Sequence, residues 1–586
     1  MRDIDRERVA SLGRALRTSE VTSALLVARG IVEPEAARAH LEPRLSMLHD
    51  PALFPGMKAA TARIARAIAD GETILVHGDY DVDGVTGTTL LMRLFHLLRA
   101  HAAWHIPNRF KDGYSFGPHS VERARASAAK LVISVDNGTS ARATIGELRE
   151  LGIDTIVTDH HEPPRDADEL PPAVAIINPK LAGRGRPGEL ADGAYPFREL
   201  CGGAVAFKLA WGLCQEISGA AKVREELREF LVEAMGYVAI ATVCDVVPLV
   251  DENRCLARYG LRSLESSRNP GIRALLDVAK LSGRTLEADD VAFKIGPRIN
   301  ASGRLGGAEK AVELLLAPDA TVAARLALEL DRMNVERKRI EAELLADALR
   351  EAEPFRDRSE HPVIVLAKQG WHQGVVGIIA ARLVERFDRP AIVIGLDGET
   401  GRGSGRSVAG FSILEALNGG AAHVEKHGGH EQAAGLEVRA EKIDELRCAV
   451  CMRAREMLGD ADYEPREIAI DCEIELARMT PELMREIDKL RPFGAKNERP
   501  VMLSRGLRLA EPPRAIGGDG THLALQLRRG ARSLRAVAFG MAHRAGELRM
   551  GADVHAVYSP RWNTFRGETT LELELVDFRV GEPPAV

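Results

Sequence analysis

Residues 73–87, TILVHGDYDVDGVTG, constrain this chain more than any other stretch. The apolar run 74–76 reads as a buried strand, and it ends in His77 with Asp79, Asp81 and Asp83 at alternate positions. Glycines follow, and then a helical pattern over 88–98. Carboxylates gathered in a buried place repel one another and lose hydration, so they call for a counter-charge. A divalent cation is the most compact one. Residues 84–89 contain no lysine, which excludes a nucleotide-binding P-loop here.

The arrangement recurs downstream. Apolar runs at 130–135, 153–158 and 173–177 end in Asp136-Asn137-Gly138, Asp159-His160-His161 and Asn178-Pro179, with helical patterns at 121–129 and 141–151 between them. Alternating strands and helices predict an α/β fold with a parallel sheet, and such sheets hold ligands at the carboxyl ends of their strands. Asp245 adds one more acid in an otherwise apolar segment. The candidate metal ligands are therefore His77, Asp81, Asp83, Asp136, His160 and Asp245, with Asp79 and Asp159 expected behind them. Carboxylates with a few imidazoles and no thiols suit Mn²⁺ or Mg²⁺ before structural Zn²⁺. There are ligands enough for two ions if Asp136 bridges them. Two ions roughly 3.5–4 Å apart would activate a water and neutralise a phosphate under attack. His161 would then hydrogen-bond a phosphate oxygen. Asp81, Asp83, Asp136, His160, His161 and Asp245 are the catalytic candidates.

Other segments suggest anion binding. Residues 290–307 read as a loop bearing Arg298, Asn300 and Arg304. A second α/β pattern begins near 362 and contains three glycine-rich segments, read as loops: 370–377 with His372, 401–407 with Ser404 and Arg406, and 428–435 with His430. Glycine lets backbone N–H groups approach a phosphate closely. Between the two patterns, 320–353 reads as one long connecting helix.

From about 465 short β-like runs predict a small barrel. Residues 491–550 carry twelve Lys and Arg against four Asp and Glu, a basic patch in a chain of net charge −6. With Tyr558, Trp562 and Phe565 close by, this is the pattern of a single-strand-binding module. The expected organisation is a helical region 1–70, a parallel-sheet domain 71–319, a connecting helix 320–353, a smaller α/β domain 354–460 and a β-barrel 465–580. No apolar run reaches transmembrane length, so no membrane role is expected. Seven scattered cysteines without a paired framework suit the reducing cytoplasm.

Asp159-His160-His161 resembles the signature of the DHH phosphoesterase superfamily. Residues 77–84 are similar to its first motif, 136–138 to its second, and Asp245 to its fourth; Gly428-Gly429-His430 resembles the associated DHHA1 domain. The whole layout, ending in an OB-like barrel, is similar to the single-stranded-DNA exonucleases of that superfamily. Arg491-Pro492-Phe493-Gly494 and Asn108-Arg109 with Gly113-Tyr114 add to the match. The resemblance implies a 5′→3′ exonuclease that releases mononucleotides in DNA repair and recombination. It implies that Arg304, Ser404 and Arg406 hold the 5′-terminal phosphate, that Tyr114 positions a nucleotide, and that His430 lines the phosphate side of the cleft. A monomer acting with single-strand-binding protein and a helicase is implied too. Asn137 and Ser115 stand where many relatives have cysteine and glycine, and neither change removes a ligand. Two other readings are a DHH phosphodiesterase of short oligonucleotides and a non-catalytic, Cdc45-like DNA-holding scaffold. The barrel argues against the first and the full ligand set against the second.

Overall fold

Five parallel strands make the first sheet: β1 (Ile74–His77), β2 (Ala102–His105), β3 (Leu131–Val135), β4 (Asp154–Thr158) and β5 (Ala175–Ile177), in the order β2-β1-β3-β4-β5. The computed structural model describes residues 4–112, 116–181, 195–459, 461–464, 467–518, 520–565 and 567–582. β1 and β3 are buried at every position, as parallel strands covered on both faces must be. Sequence order switches sides between β1 and β3, which opens a crevice at their carboxyl ends. Asp79, Asp81 and Asp83 follow β1 and Asp136 follows β3, so both reach that crevice. The half-buried edge strand β2 has too short and mixed a pattern to be read from sequence.

Helices Val82–Leu97, Gly202–Ser218 and Glu225–Cys244 pack with the sheet into one core. The helix Ala320–Glu351 then runs 32 residues, about 48 Å at 1.5 Å per residue. Ala323, Leu326 and Leu330 of its first half lie in the first core, while Leu344 and Ala348 of its second half lie in the next.

The second sheet has the order β6-β7-β8-β10-β9, with strands β6 (Ile364–Gln369), β7 (Ala391–Asp397), β8 (Thr400–Arg406), β9 (Lys426–His430) and β10 (Ala433–Arg439). The segments 401–407 and 428–435, expected as loops, thus lie largely within strands. Their glycines serve packing: a Cβ at Gly403 would stand 2.7 Å from Ile394 and 2.9 Å from Leu436. The segment 290–307 is likewise not a loop. It begins with a π-helical turn, Val291–Ile295, and continues as the helix Gly296–Arg304.

In the C-terminal sheet, β12 (Met502–Leu509), β14 (His522–Arg529), β15 (Arg532–Ala538), β16 (Val554–Phe565) and β17 (Glu568–Val580) follow the short β11 (Cys472–Glu473), with β13 (Arg514–Ile516) at the far edge. A β12–β14 pairing closes five of these strands into an OB-like barrel. Leu12, Leu25, Leu26 and Leu41 of the N-terminal helices join the barrel core, whereas Met57, Ala60 and Ile64 join the core of the first sheet. The region 1–70 therefore serves two cores. Ser19 and Thr22 hydroxyls donate to Glu486 at 2.6 and 2.8 Å. The buried Arg254 donates to the carbonyls of His40, Leu490 and Arg491 at 2.7–2.9 Å, tying the first domain to the barrel. Among the described residues no helix is long and apolar enough to cross a membrane.

Candidate active site

Each acid in the crevice is held by a local device. Asp81 caps the helix Val82–Leu97, accepting from the N–H groups of Asp83 (2.9 Å) and Gly84 (3.2 Å). Asp83 points the other way, and both its oxygens accept 2.6 Å hydrogen bonds from the N–H groups of Gly202 and Gly203. These belong to the first turn of Gly202–Ser218, whose dipole favours the anion. Asp136 sits at φ 64°, a conformation that lifts its carboxylate out of the strand direction. Asp245 is the C-cap of Glu225–Cys244.

His160 joins them. Its Nε2 lies 3.1 Å from Asp136 Oδ1 and 3.7 Å from both Asp83 Oδ2 and Asp245 Oδ2. The first approach is too poorly aligned for a hydrogen bond, so Asp136 Oδ1 is buried without one, as is Asp79 Oδ1. Three ligand-sized groups overlap here: Asp83, His160 and Asp245; Asp136, His160 and His161; Asp79, Asp81 and Asp136. In each, the donor atoms lie within 4.8 Å of one another. Asp136 belongs to two of them, the position a bridging carboxylate needs.

Electrostatics follow from this crowding. Burial first, and then neighbouring carboxylates, raise Asp245 to about 9, Asp79 to about 8 and Asp83 to about 6, and push Asp136 well up. Protein groups alone leave the acids short of positive charge, and divalent ions fit both the orphaned oxygens and the oxygen-rich donor set. His161 behaves differently. Burial opposes its charge, but a 2.8 Å hydrogen bond from Nδ1 to Asp159 Oδ1 raises it to about 9. Asp159, despite its burial, is held below the usual carboxylate range by His161 and by the Thr139 N–H. Asp159 thus stands behind His161.

Two ligand assignments exchange places. His77, expected among the acids, lies instead with His105 and His119, because β1 and β2 pair in the register that sets His77 opposite His105. Asp79, expected behind the ligands, lies beside Asp81 and Asp136.

The anion-binding candidates also divide. The helix Gly296–Arg304 packs directly on the acidic loop: a Cβ at Gly303 would stand 2.5 Å from the Tyr80 carbonyl oxygen. Arg304 donates to the Gly374 carbonyl at 3.0 Å. Burial, with the charges of Arg109, Arg337 and Arg406, lowers it to about 10. Ser404 and Arg406 stand on one face of β8, two residues apart, and Arg406 donates to Ser404 Oγ at 2.8 Å. A Cβ at Gly377 would approach Ser404 Oγ to 3.1 Å and Arg406 to 3.2 Å, so the first turn of the helix Val376–Phe387 packs against this pair. Arg109 lies 4.4 Å over the Tyr80 ring and donates to its hydroxyl at 3.2 Å. Guanidinium groups gathered this way offer donors that suit an anion.

Arg298 does not join them: it is held by Asp331 (2.9 Å) and the Lys294 carbonyl (2.6 Å). Asn300 accepts from the Val82 N–H at 3.2 Å, and Asn108 is engaged by the Gly306 carbonyl at 3.0 Å, so both position loops. His372 accepts from the Gly374 N–H at 3.2 Å. His430 is exposed at the end of β9. Tyr114 lies outside the described residues. Arg337 and Arg402, not singled out in the sequence, stand nearby, each with a carboxylate partner: Glu341 at 2.6 Å and Glu437 at 3.1 Å. Arg402 shares the β8 alternation with Ser404 and Arg406 and donates to the Arg109 carbonyl at 3.2 Å; the pattern of the long helix gives no signal for Arg337.

In the barrel, Tyr558 is fully buried and bonded to Ser504, so it cannot stack on a base. Trp562 donates to Asp488 at 2.6 Å. The side chain of Phe565 lies outside the described residues. Phe539, 45% exposed with Arg561 5.2 Å over its ring, is the solvent-facing aromatic instead.

Three family models match the chain: the DHH family N-terminal domain over 73–242, the DHHA1 domain over 360–456 and the RecJ OB domain over 470–577. The single-stranded-DNA-specific exonuclease RecJ of Bacillus subtilis is 36% identical over 584 residues, 99% of this chain and 70% of that protein. The crystal structure of RecJ from Thermus thermophilus in complex with Mn²⁺ superposes with a TM-score of 0.81 at 31% identity, covering 99% of this chain and 78% of the other. The Mg²⁺ complex of the same protein gives 0.75 at 29% identity, with 99% and 77% covered.

Proposed function

This chain belongs to the RecJ family, and from that premise we propose how it works: as a single-stranded-DNA-specific exonuclease that hydrolyses phosphodiester bonds from the 5′ end and releases 5′-mononucleotides. It is a metal-dependent hydrolase that takes Mn²⁺ or Mg²⁺. The observation that carries the reading of polarity is the contact between two sites. A guanidinium pocket suited to a terminal phosphate abuts a carboxylate cluster suited to phosphoester hydrolysis, joined at Gly303 and Tyr80.

Asp81, Asp83, Asp136, His160 and Asp245 are the residues we assign to hold the metal, with Asp79 beside them, and Asp136, which belongs to two of the ligand groups, would serve both. Bound there, the ions would supply Lewis acidity and an activated water. The chain's own residues do the rest. Gly202 and Gly203 fix Asp83 and so orient the cluster. Asp159 keeps a proton on His161; since Nδ1 is committed to Asp159, the proton on Nε2 is the one offered to a phosphate oxygen. Arg304, Arg406 and Ser404 grip the 5′-terminal phosphate, which sets the cut one nucleotide in. The barrel tracks the rest of the strand, with Phe539 and Arg561 as a stacking platform.

A monomer working in the cytoplasm in DNA repair and recombination, alongside single-strand-binding protein and a helicase, fits the free cysteines and the family. The test uses a strand of about thirty nucleotides, labelled at either end, and its blunt duplex, with Mn²⁺, Mg²⁺ or chelator. Mononucleotides should leave the 5′ end of the single strand alone and only with metal. Attack from the 3′ end, or equal attack on duplex, refutes the proposed polarity and strand choice.

A further inference from the structure

The imidazole of His77, turned away from the acids, does not stand alone. In the parallel β1–β2 pair His77 is in register with His105, so both leave the same face of the sheet at its carboxyl end. The helix Pro118–Ala126 brings His119 over them from its first turn. Ring centroids are 5.1 Å apart for His77–His105, 5.6 Å for His77–His119 and 5.8 Å for His105–His119. One ring nitrogen from each lies within 4.8 Å of the other two.

Their hydrogen bonding is incomplete. His77 is fully buried, and its Nδ1 has no partner among the described residues. The Nε2 of His105 is buried and unpartnered as well. Ser120 Oγ lies 2.9 Å from His77 Nε2 and 3.4 Å from His119 Nε2, so one hydroxyl serves two rings. The nearby carboxylate of Asp112 accepts instead from the Asn108 N–H at 2.7 Å. Orphaned nitrogens in a buried place are costly, and the three rings converge around the Ser120 hydroxyl with the Phe116 ring 4.7 Å from His77.

Three imidazoles without a carboxylate form a different donor set from the acidic centre. Imidazole suits Zn²⁺, Cu²⁺ and Ni²⁺; carboxylate oxygen suits Mg²⁺ and Mn²⁺. We propose that His77, His105 and His119 form a second metal site, separate from the carboxylate centre, that takes a borderline divalent ion, Zn²⁺ first. With Zn–N bonds of about 2.0–2.1 Å, tetrahedral ligands lie about 3.3 Å apart, so the rings draw together modestly on binding. The part-exposed His119 has the most room to move. Water completes the fourth position.

The site joins the end of β1, the end of β2 and the helix Pro118–Ala126. It therefore ties the end of β2, four residues before Arg109, to the end of β1. The metal site stands independently of the nuclease reading.

Metal-stripped full-length protein titrated with Co²⁺ in excess Mg²⁺ tests the proposal. A four-coordinate, three-nitrogen site gives intense visible absorption bands, while a six-coordinate oxygen-rich site gives weak ones. We expect one equivalent of intense Co²⁺ absorption, displaced by one equivalent of Zn²⁺. His105→Ala and His119→Ala should each abolish it, and Asp136→Asn should keep it. The melting temperature of each variant without metal checks its fold, and His119→Gln is the fallback at the more exposed position. The proposal fails if the parent shows no intense bands, if the His119 variants retain them, or if Asp136→Asn loses them.

Discussion

Gly202 stands so close to Asp136 that a Cβ on it would lie 2.6 Å from the Asp136 Cβ and 2.7 Å from its Oδ1. The same residue donates its N–H to Asp83. One helix terminus therefore sets two carboxylates at once, and only glycine allows it. Gly202→Ala must push Asp136 and the helix apart. A displacement near 1 Å at reacting groups costs about 10²-fold in rate, while overpacking costs about 1–3 kcal/mol of stability. We expect kcat to fall about 10²-fold with Mn²⁺ affinity weakened and the fold retained. Rate and Mn²⁺ titration on the same preparation check this, and unchanged values in both would separate Gly202 from the site.

The acids make a second prediction, about metal removal. Asp136 is buried among Asp79, Asp81, Asp83 and Asp245, and without cations their like charges oppose folding. Asp136→Asn removes one charge at nearly constant shape. In chelator the variant should melt at a higher temperature than the parent. In Mn²⁺ the order should reverse, because the parent gains ligand-linked stability of about 2.7 kcal/mol at a hundredfold excess over Kd and the variant gains little. Melting curves with and without Mn²⁺ decide it; parallel shifts in the two proteins would place the ions elsewhere.

What the sequence made legible follows from where the chemistry sits. Asp81, Asp83, Asp136, His160 and His161 each follow an apolar strand, and Asp245 ends an apolar helix, so the ends of apolar runs announce them. The exchange of His77 and Asp79 was hidden because side-chain direction beyond a strand depends on the turn and on cross-strand register, here His77 against His105. Arg298 and Arg304 look equivalent in sequence, but six residues along a helix is 600°, which turns them to different faces. The glycines of β8 looked like a phosphate loop because a close-packed sheet and an anion cradle both demand the missing Cβ. Tyr558 looked exposed because a barrel's inner and outer faces alternate, and a bulge between Val557 and Tyr558 shifts that register.

Arg406 and Arg298 give the third prediction. Arg406→Ala removes a charge-assisted contact to a terminal phosphate, about 2 kcal/mol or roughly 30-fold. KM should rise by that factor for a 5′-phosphorylated strand and stay unchanged for a 5′-hydroxyl strand. Arg298→Ala should leave both KM values alone and lower the melting temperature, since it breaks the Asp331 ion pair. Equal effects of Arg406→Ala on the two strands would remove the terminal-phosphate role.

The junction of the N-terminal helices, the first domain and the barrel carries a pH dependence. His40 is 8% exposed, and burial, then the charges of Arg254 and Arg29, hold it down at about 3 against an ordinary value of 6.5. Folded His40 is therefore neutral wherever the unfolded chain would bind a proton between these values. Stability is full above pH 6.5 and is lost as pH falls toward 3, at about 1.4 kcal/mol per pH unit. At pH 5 the loss is about 2 kcal/mol. His40→Leu keeps the site neutral and apolar at every pH, so the variant should gain on the parent by that amount between pH 7.5 and 5. Proteolysis of the N-terminal helices should follow the same course, because His40 lends its carbonyl to Arg254 at the joint. A stability difference that stays constant with pH would show that His40 is protonated in the folded chain.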